Sequence, residues 1–154
     1  MDGVDILLFL LQCYFMLMNV TVERSYCAAP ITAESTCFLC PETVAFCEKY
    51  NRLFLARDEW MRLATCFSAY GFLPFYALIA AAAATGAWRA CRTPILLFVG
   101  AKLYALVFYH AMEFASAAPP QHLVPYFAVE GPYLLSGFLV IRKVLAASAK
   151  GKRD

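Results

Sequence analysis

Four long apolar stretches constrain this chain more than any other feature of its sequence. They cover about residues 6–22, 63–88, 94–114 and 123–145. A helix needs about 20 mostly apolar residues to cross a membrane, because a rise of about 1.5 Å per residue must cover about 30 Å of hydrocarbon. Apolar residues make up 62% of the 154-residue chain and charged residues only 16%, which excludes an ordinary soluble domain. The sequence therefore predicts an all-α integral membrane protein, a four-transmembrane-helix bundle forming a single domain over residues 1–154.

The charged residues predict how these spans are oriented. An even number of spans places both termini on one side of the membrane. The loop of residues 23–62, on the other side, balances its basic residues with acidic ones. The positive-inside rule therefore places both termini on the matrix or cytosolic side, and leaves the mitochondrial inner membrane and the endoplasmic reticulum both open. The basic residues on the terminal side are Arg89, Arg92, Arg142, Lys143, Lys150, Lys152 and Arg153.

Residues 1–5 carry two acids and no base. They lack both the positive n-region of a signal peptide and the Arg-rich character of a transit peptide. We therefore expect the first span to remain as a membrane anchor.

The loop of residues 23–62 is rich in cysteine. It contains Cys27, Cys37, Cys40 and Cys47, four of the seven cysteines in the chain. Because the charge pattern places this loop in a compartment where thiols oxidise, two disulfides among these four are favoured, with three connectivities open. A four-cysteine zinc site is the alternative, although we expect no metal.

The same loop is predicted to be partly helical. After Pro41, apolar residues recur on one side of a helix while the charged residues fall elsewhere. Such a helix either lies along the membrane surface or caps the outer mouth of the bundle. The apolar residues are Phe46, Tyr50, Leu53 and Phe54.

Ionisable residues within or beside the spans need an explanation, because charges at bilayer depth are costly. The glutamates can lie in the interface at span ends. Lys102 either snorkels toward the positive side or forms an internal ion pair. His110 and Glu113 stand at i and i+3, on one helix face, where a carboxylate and an imidazole can exchange a proton. The ionisable set is Glu23, Lys102, His110, Glu113 and Glu130.

No motif indicates catalysis or a cofactor. The chain has no phosphate-binding Gly-rich loop, no G-x-S-x-G elbow, no H-E-x-x-H helix and only two histidines. We therefore expect no cofactor beyond a bound phospholipid or sterol. A net charge of +2 without a basic stripe gives no electrostatic footprint for nucleic acid. The expected partners are membrane lipids and other membrane-protein subunits.

Several motifs follow one another in a recognisable order: Glu23 closes the first span, Trp60 leads into the second, and Pro74 lies inside it within Leu-Pro-Phe-Tyr. Arg92-Thr93-Pro94 opens the third span, and Tyr133 follows Gly-Pro in the fourth. In order and spacing these motifs resemble the EXPERA family of four-span membrane proteins, in particular its sigma-2 receptor and emopamil-binding-protein branch, over residues 6–146.

The resemblance implies a pocket inside the bundle that binds sterols or cationic amphiphiles, with Glu23 and Tyr133 at matching positions. It also implies, for the sterol isomerase members, buried acids that shuttle a proton. The second-span carboxylate of the family falls on Ser68 here, and the Asp-Pro-Leu motif expected before Trp60 is missing. Loss of that carboxylate argues against catalysis.

Two functional hypotheses follow. The first is a non-catalytic accessory or structural subunit of a larger membrane complex, with lipid filling the pocket and the mitochondrial inner membrane as its location. The second is a sterol- or lipid-binding protein of the endoplasmic reticulum, related to the sterol isomerases. The predicted ligand-binding residues are Glu23, Ser68, Lys102, His110, Glu113, Glu130 and Tyr133.

Overall fold

The structure, a computed structural model, describes residues 1–150, and every regular element in that range is a helix. Four helices are long and apolar enough to cross a membrane, which confirms the predicted all-α architecture at that level. Lys152 and Arg153, which contribute to the predicted positive side, lie outside the described residues. In chain order the helices are α1 (Gly3–Ala28), α2 (Cys40–Tyr50), α3 (Arg52–Ala56), α4 (Glu59–Thr85), α5 (Arg92–Ala115) and α6 (Leu123–Lys150), of which α1, α4, α5 and α6 are the long ones.

The long helices extend beyond the apolar stretches at the cysteine-rich loop. α1 continues to Ala28 and α4 begins at Glu59, so the loop between them is shorter than predicted and contains α2 and α3. A hydropathy criterion stops at the first charged residue, here Glu23. The helix does not stop there, because Glu23 accepts a hydrogen bond from within α1 and Arg24 stacks over the ring of Tyr70.

The long helices form a ring in which α1 and α5 each pack against both α4 and α6. The core between them is apolar and aromatic, and includes Leu8, Phe15 and Ile95. The start of α1, the turn of residues 86–91 and the last turns of α6 meet at one end of the bundle, which we call the terminal end. The opposite end, where α2 and α3 lie, is the loop end.

A cluster of polar side chains holds the terminal end together. Asp5 accepts a hydrogen bond from Trp88 Nε1 at 3.1 Å, and its Oδ1 lies 2.7 Å from Lys143 Nζ. Asp2 caps α1 through the amides of Val4 and Asp5 and lies 2.7 Å from Lys143 Nζ. The Lys143 hydrogen bond holds the pKa of Asp2 down at about 2. This cluster of Asp2, Asp5, Trp88 and Lys143, the terminal latch, joins α1 to α6.

At the loop end α2 and α3 cap the bundle, which decides between the two positions predicted for this helical segment. Val44 of α2 packs with Val22 of α1 and Met61 of α4 in one buried cluster. The Tyr26 hydroxyl donates a hydrogen bond to the Phe54 carbonyl at 2.7 Å. The loop is therefore folded onto the helix ends.

Arg57 closes the end of α1. Its guanidinium donates to the carbonyls of Tyr26 at 2.9 and 3.1 Å and of Cys27 at 3.3 Å. The last carbonyls of a helix have no partner within the helix and favour a cation nearby. Arg57, which lies in the loop, both donates hydrogen bonds to these carbonyls and places its positive charge beside them.

The cysteines pair differently from the sequence prediction. Cys27 is bonded to Cys66 of α4 and Cys37 to Cys40, whereas Cys47 is a buried free thiol. The expectation that Cys47 joins a disulfide is therefore wrong. Sequence reasoning assigned Cys66 to a span, but α1 and α4 extend far enough to bring the Cα atoms of Cys27 and Cys66 to 5.4 Å. With these pairings, four thiolates are not available for a zinc site.

Gly137 allows a close approach of α6 to α5. A Cβ at this position would lie 2.8 Å from Leu103 Cδ2 and 3.2 Å from its Cγ, whereas nothing lies within 4 Å of one at Gly131, on the same helix. We expect Gly137→Ala to lower the free energy of unfolding by about 1–2 kcal/mol, because Leu103 must move. Gly131→Ala should cause no loss. Unfolding of both variants in detergent checks this, and equal stabilities would contradict the close approach.

Candidate functional site

A cavity of about 440 Å³ lies within the bundle, beneath the cap at the loop end. All four long helices and α2 contribute to its lining, which is mostly apolar. Ligand cavities in proteins are typically about 300–1,000 Å³ and mostly apolar with a few placed polar groups. The acidic and basic residues among those lining this cavity are Glu23, Glu42, Glu130 and Lys102.

Two π-helical turns position the polar residues of the cavity. α1 widens at Asn19–Glu23 and α4 widens at Ser68–Phe72, and the two turns contact each other. Pro74 explains the second one, because its ring cannot coexist with a regular hydrogen bond to the carbonyl four residues earlier. π-Helical turns occur frequently at functional sites.

These turns bring Glu23 and Ser68 together around Asn19. The Asn19 amide donates to Glu23 Oε2 at 2.7 Å and approaches Ser68 Oγ at 3.4 Å. Asn19 is 1% exposed. Sequence reasoning missed this residue, although a buried amide in an apolar span is itself a signal of an internal partner.

Lys102 is enclosed by aromatic rings. Its Nζ lies 4.4 Å from the ring centroid of Phe15, 4.3 Å from that of Tyr76 and 4.9 Å from that of Tyr133. The side chain is buried, and no carboxylate oxygen of the described residues lies within 4.0 Å of its Nζ. Lys102 therefore neither snorkels nor forms a direct ion pair, in contrast to both predicted arrangements. We call Phe15, Tyr76 and Tyr133 the aromatic cage.

A second polar group lies where the cavity meets the cap. Asn51 donates to the Tyr109 hydroxyl and, at 3.3 Å, to Glu130 Oε1. Cys47 also lines this part of the cavity. Burial, with Glu130 and Glu113 adding to it, raises the pKa of Cys47 to about 12. The thiol therefore stays protonated at physiological pH and is a poor nucleophile.

His110 and Glu113 lie outside the cavity lining. Asn51 and Tyr109, which share a hydrogen bond, line the cavity, whereas His110 and Glu113, further along α5, do not. His110 Nδ1 is 2.8 Å from the Tyr126 hydroxyl, and among the described residues the fully buried Glu113 has no hydrogen-bond partner for either oxygen, so the two do not bond to each other. The structure thus gathers five of the seven predicted binding residues around the cavity: Glu23, Ser68, Lys102, Glu130 and Tyr133.

No protein-family model, no curated protein and no solved structure matches this chain. The EXPERA resemblance thus stays a prediction from sequence motifs, and the cavity has to be interpreted from its own chemistry.

Proposed function

We propose that the protein is a non-catalytic membrane protein that holds a lipid or sterol in the cavity between its four long helices. The observation that carries this proposal is the cavity itself, about 440 Å³ with a mostly apolar lining and a few fixed polar groups. Lipid and sterol are the apolar molecules most abundant around helices of this length and hydropathy.

The polar groups of the cavity suit binding better than proton transfer. A proton shuttle between buried groups, which the resemblance implies for the sterol isomerases, needs a second group within hydrogen-bond reach that also gives or takes a proton. The partners of Glu23 are the Asn19 amide and the neighbouring Ser68 hydroxyl, neither of which titrates near neutral pH. His110 and Glu113, for which the sequence predicted a proton exchange, do not line the cavity and make no hydrogen bond to each other.

Our proposal for the location is the mitochondrial inner membrane or the endoplasmic reticulum, with both termini on the matrix or cytosolic side. The two paired disulfides at the loop end support an oxidising compartment there. Arg89, Arg92 and Arg142 lie at or near the terminal end, where the positive-inside rule favours them. Protease protection of a tag at the C-terminus checks this orientation in sealed vesicles.

Photo-crosslinking in membranes tests the binding proposal. Ala105 of α5 lines the cavity, whereas Ala101, one turn earlier on the same helix, does not line it. With photoactivatable cholesterol and a photoactivatable fatty acid, we expect Ala105→Trp to reduce labelling of cavity residues about tenfold, because the indole fills the space. Ala101→Trp should label like the unaltered protein. Equal labelling of both variants would refute the proposal.

A second proposed function, accessory subunit of a larger membrane complex, is favoured by Phe38. This aromatic side chain is 64% exposed on the short turn that the Cys37–Cys40 disulfide closes, outside the long helices. A rigid, exposed aromatic residue is the kind of anchor that protein interfaces use. Native electrophoresis after mild solubilisation tests it: a large assembly that Phe38→Ser dissociates supports a subunit role, and migration as a monomer or homodimer contradicts it.

A further inference from the structure

We infer that the lipid held in this cavity carries an anionic head group, a carboxylate or a phosphate, and that the ammonium of Lys102 binds it. This inference rests on the proposed function and names the chemistry of its ligand. It starts from the position of Lys102, which lines the cavity with only 7% of its surface exposed.

The half-buried carboxylates of the cavity have hydrogen-bond donors within the protein. Glu23 accepts from the Asn19 amide at 2.7 Å, and Glu130 accepts from the Asn51 amide at 3.3 Å. Each of the two therefore already has one donor from the protein on its carboxylate. The third carboxylate, that of Glu42, is exposed.

The cation of the cavity has no such partner. Within the described part of the chain, Lys102 Nζ makes no hydrogen bond and no salt bridge, and it lies over the rings of the aromatic cage. An ammonium group carries three N–H donors, and a buried cation without acceptors is costly. A ligand in the cavity that Lys102 lines can supply the hydrogen-bond acceptor that the described residues do not provide.

The aromatic cage also argues against a cationic ligand. Cages of this kind bind quaternary ammonium groups through the faces of their rings. Here Lys102 itself occupies the cage, with its Nζ 4.3 Å from the Tyr76 ring and 4.9 Å from the Tyr133 ring. A ligand cation at this position would meet a like charge at close range. The cationic amphiphiles implied by the EXPERA resemblance therefore do not suit this site, whereas an anionic head group does.

The rest of the wall fits the apolar part of such a ligand. Met18, Met61 and Leu106 are among the apolar residues that line the cavity. Methionine and leucine pack against an acyl chain or a sterol ring without specific geometry. A carboxylate and a phosphate both present charged oxygens that accept hydrogen bonds from N–H donors. Lys102 therefore favours an anionic head group, and the apolar wall packs against the acyl chain or sterol ring.

A series of ligands with one alkyl chain and different head groups tests the inference. The probes are hexadecanoate, hexadecyl phosphate, hexadecanol and hexadecyltrimethylammonium, with affinity measured on the full-length protein in detergent. We expect both anions to bind about tenfold or more tighter than the alcohol and the cation, because only they pair with Lys102. The ranking of the two anions identifies whether the carboxylate or the phosphate is preferred. Equal or tighter binding of the alcohol or the cation would overturn the inference.

Variants of Lys102 provide the second arm, and thermal unfolding of each confirms that it is folded. Lys102→Met should weaken hexadecanoate about tenfold and leave hexadecanol unchanged, whereas Lys102→Arg should keep most of the affinity. Lys49→Met, which removes an exposed lysine outside the cavity, is the matched control and should change nothing. Unaltered hexadecanoate binding by folded Lys102→Met would contradict a role for the ammonium.

This outcome is distinguishable from failure of the proposed function. If Ala105→Trp abolishes binding of the whole series and no anion is preferred, the cavity binds lipid but the inference about Lys102 is wrong. If Ala105→Trp leaves binding of every probe unchanged, the cavity is not the binding site and both are wrong.

Discussion

Replacing both Cys27 and Cys66 with alanine is expected to lower the free energy of unfolding by up to about 4 kcal/mol, the value that the chain-entropy model gives for a loop of this length. The two cysteines are 39 residues apart in sequence. Their bond also fixes the end of α1 against α4, next to the π-helical turns that hold Glu23 and Ser68. A loss of this size should shift the unfolding temperature by roughly 10 °C.

The Cys37–Cys40 disulfide provides the matched comparison. It closes a turn with a sequence separation of only 3, for which the same model gives about 2 kcal/mol. Leu39 inside that turn has a φ of 66°, a left-handed conformation that costs a non-glycine residue about 1 kcal/mol. The net loss in the Cys37→Ala, Cys40→Ala variant should therefore be about 1 kcal/mol. If this variant is destabilised as much as the Cys27, Cys66 variant, the disulfide at the helix ends is not the principal brace of the loop.

Asp5→Ala should be the most damaging single substitution at the terminal end, with a loss of about 3 kcal/mol. Asp5 is only 6% exposed and pairs with both Lys143 and Trp88. Its removal leaves the half-buried ammonium of Lys143 with only the exposed carboxylate of Asp2, and leaves the indole N–H of Trp88 without an acceptor. Chemical unfolding in detergent, followed by tryptophan fluorescence, measures the loss.

Asp2→Ala is the control for this prediction. Asp2 shares the partner Lys143 and caps α1, but its side chain is 65% exposed, so we expect a smaller loss than that from Asp5→Ala. Its pKa, about 2, lies below the ordinary value. The contribution of Asp2 should therefore be complete above about pH 4 and disappear as the pH falls toward 2. If Asp2→Ala lowered the free energy of unfolding as much as Asp5→Ala, burial of the pair formed by Asp5 and Lys143 would contribute nothing to stability.

The four long helices were predictable because membrane spans leave a local signal. A run of apolar residues is sufficient to place α1, α4, α5 and α6 within a few residues. Their ends at the loop were not predictable in this way, because the Glu23 and Arg24 side chains find partners inside the protein. A hydropathy criterion ends a span at a charged residue. The helix itself continues through that residue where the charged side chain has a suitable partner.

The candidate site was predictable in part. Glu23, Lys102 and Glu130 were identified because charges in spans need an explanation, and Ser68 and Tyr133 through the EXPERA resemblance; the structure gathers all five around one cavity. The position of Lys102 depends on rings from three other helices, Phe15, Tyr76 and Tyr133, and no local pattern reveals such a meeting.

The Cys27–Cys66 bond and the position of His110 and Glu113 were not predictable from local patterns. Cys66 pairs with Cys27 because the ends of α1 and α4 meet. Asn51, from the loop, and Tyr109 line the cavity, whereas His110 and Glu113 do not. Contacts between distant segments of the chain decide these features, and the sequence gives no local sign of them.

Native mass spectrometry of the protein released from its membranes in mild detergent shows whether the cavity holds a lipid. We expect the mass of the chain plus one retained lipid or sterol, which is lost in Ala105→Trp and kept in Ala101→Trp. A protein that carries no such molecule, or an Ala105→Trp variant that retains it to the same extent, would contradict the claim that the cavity binds lipid.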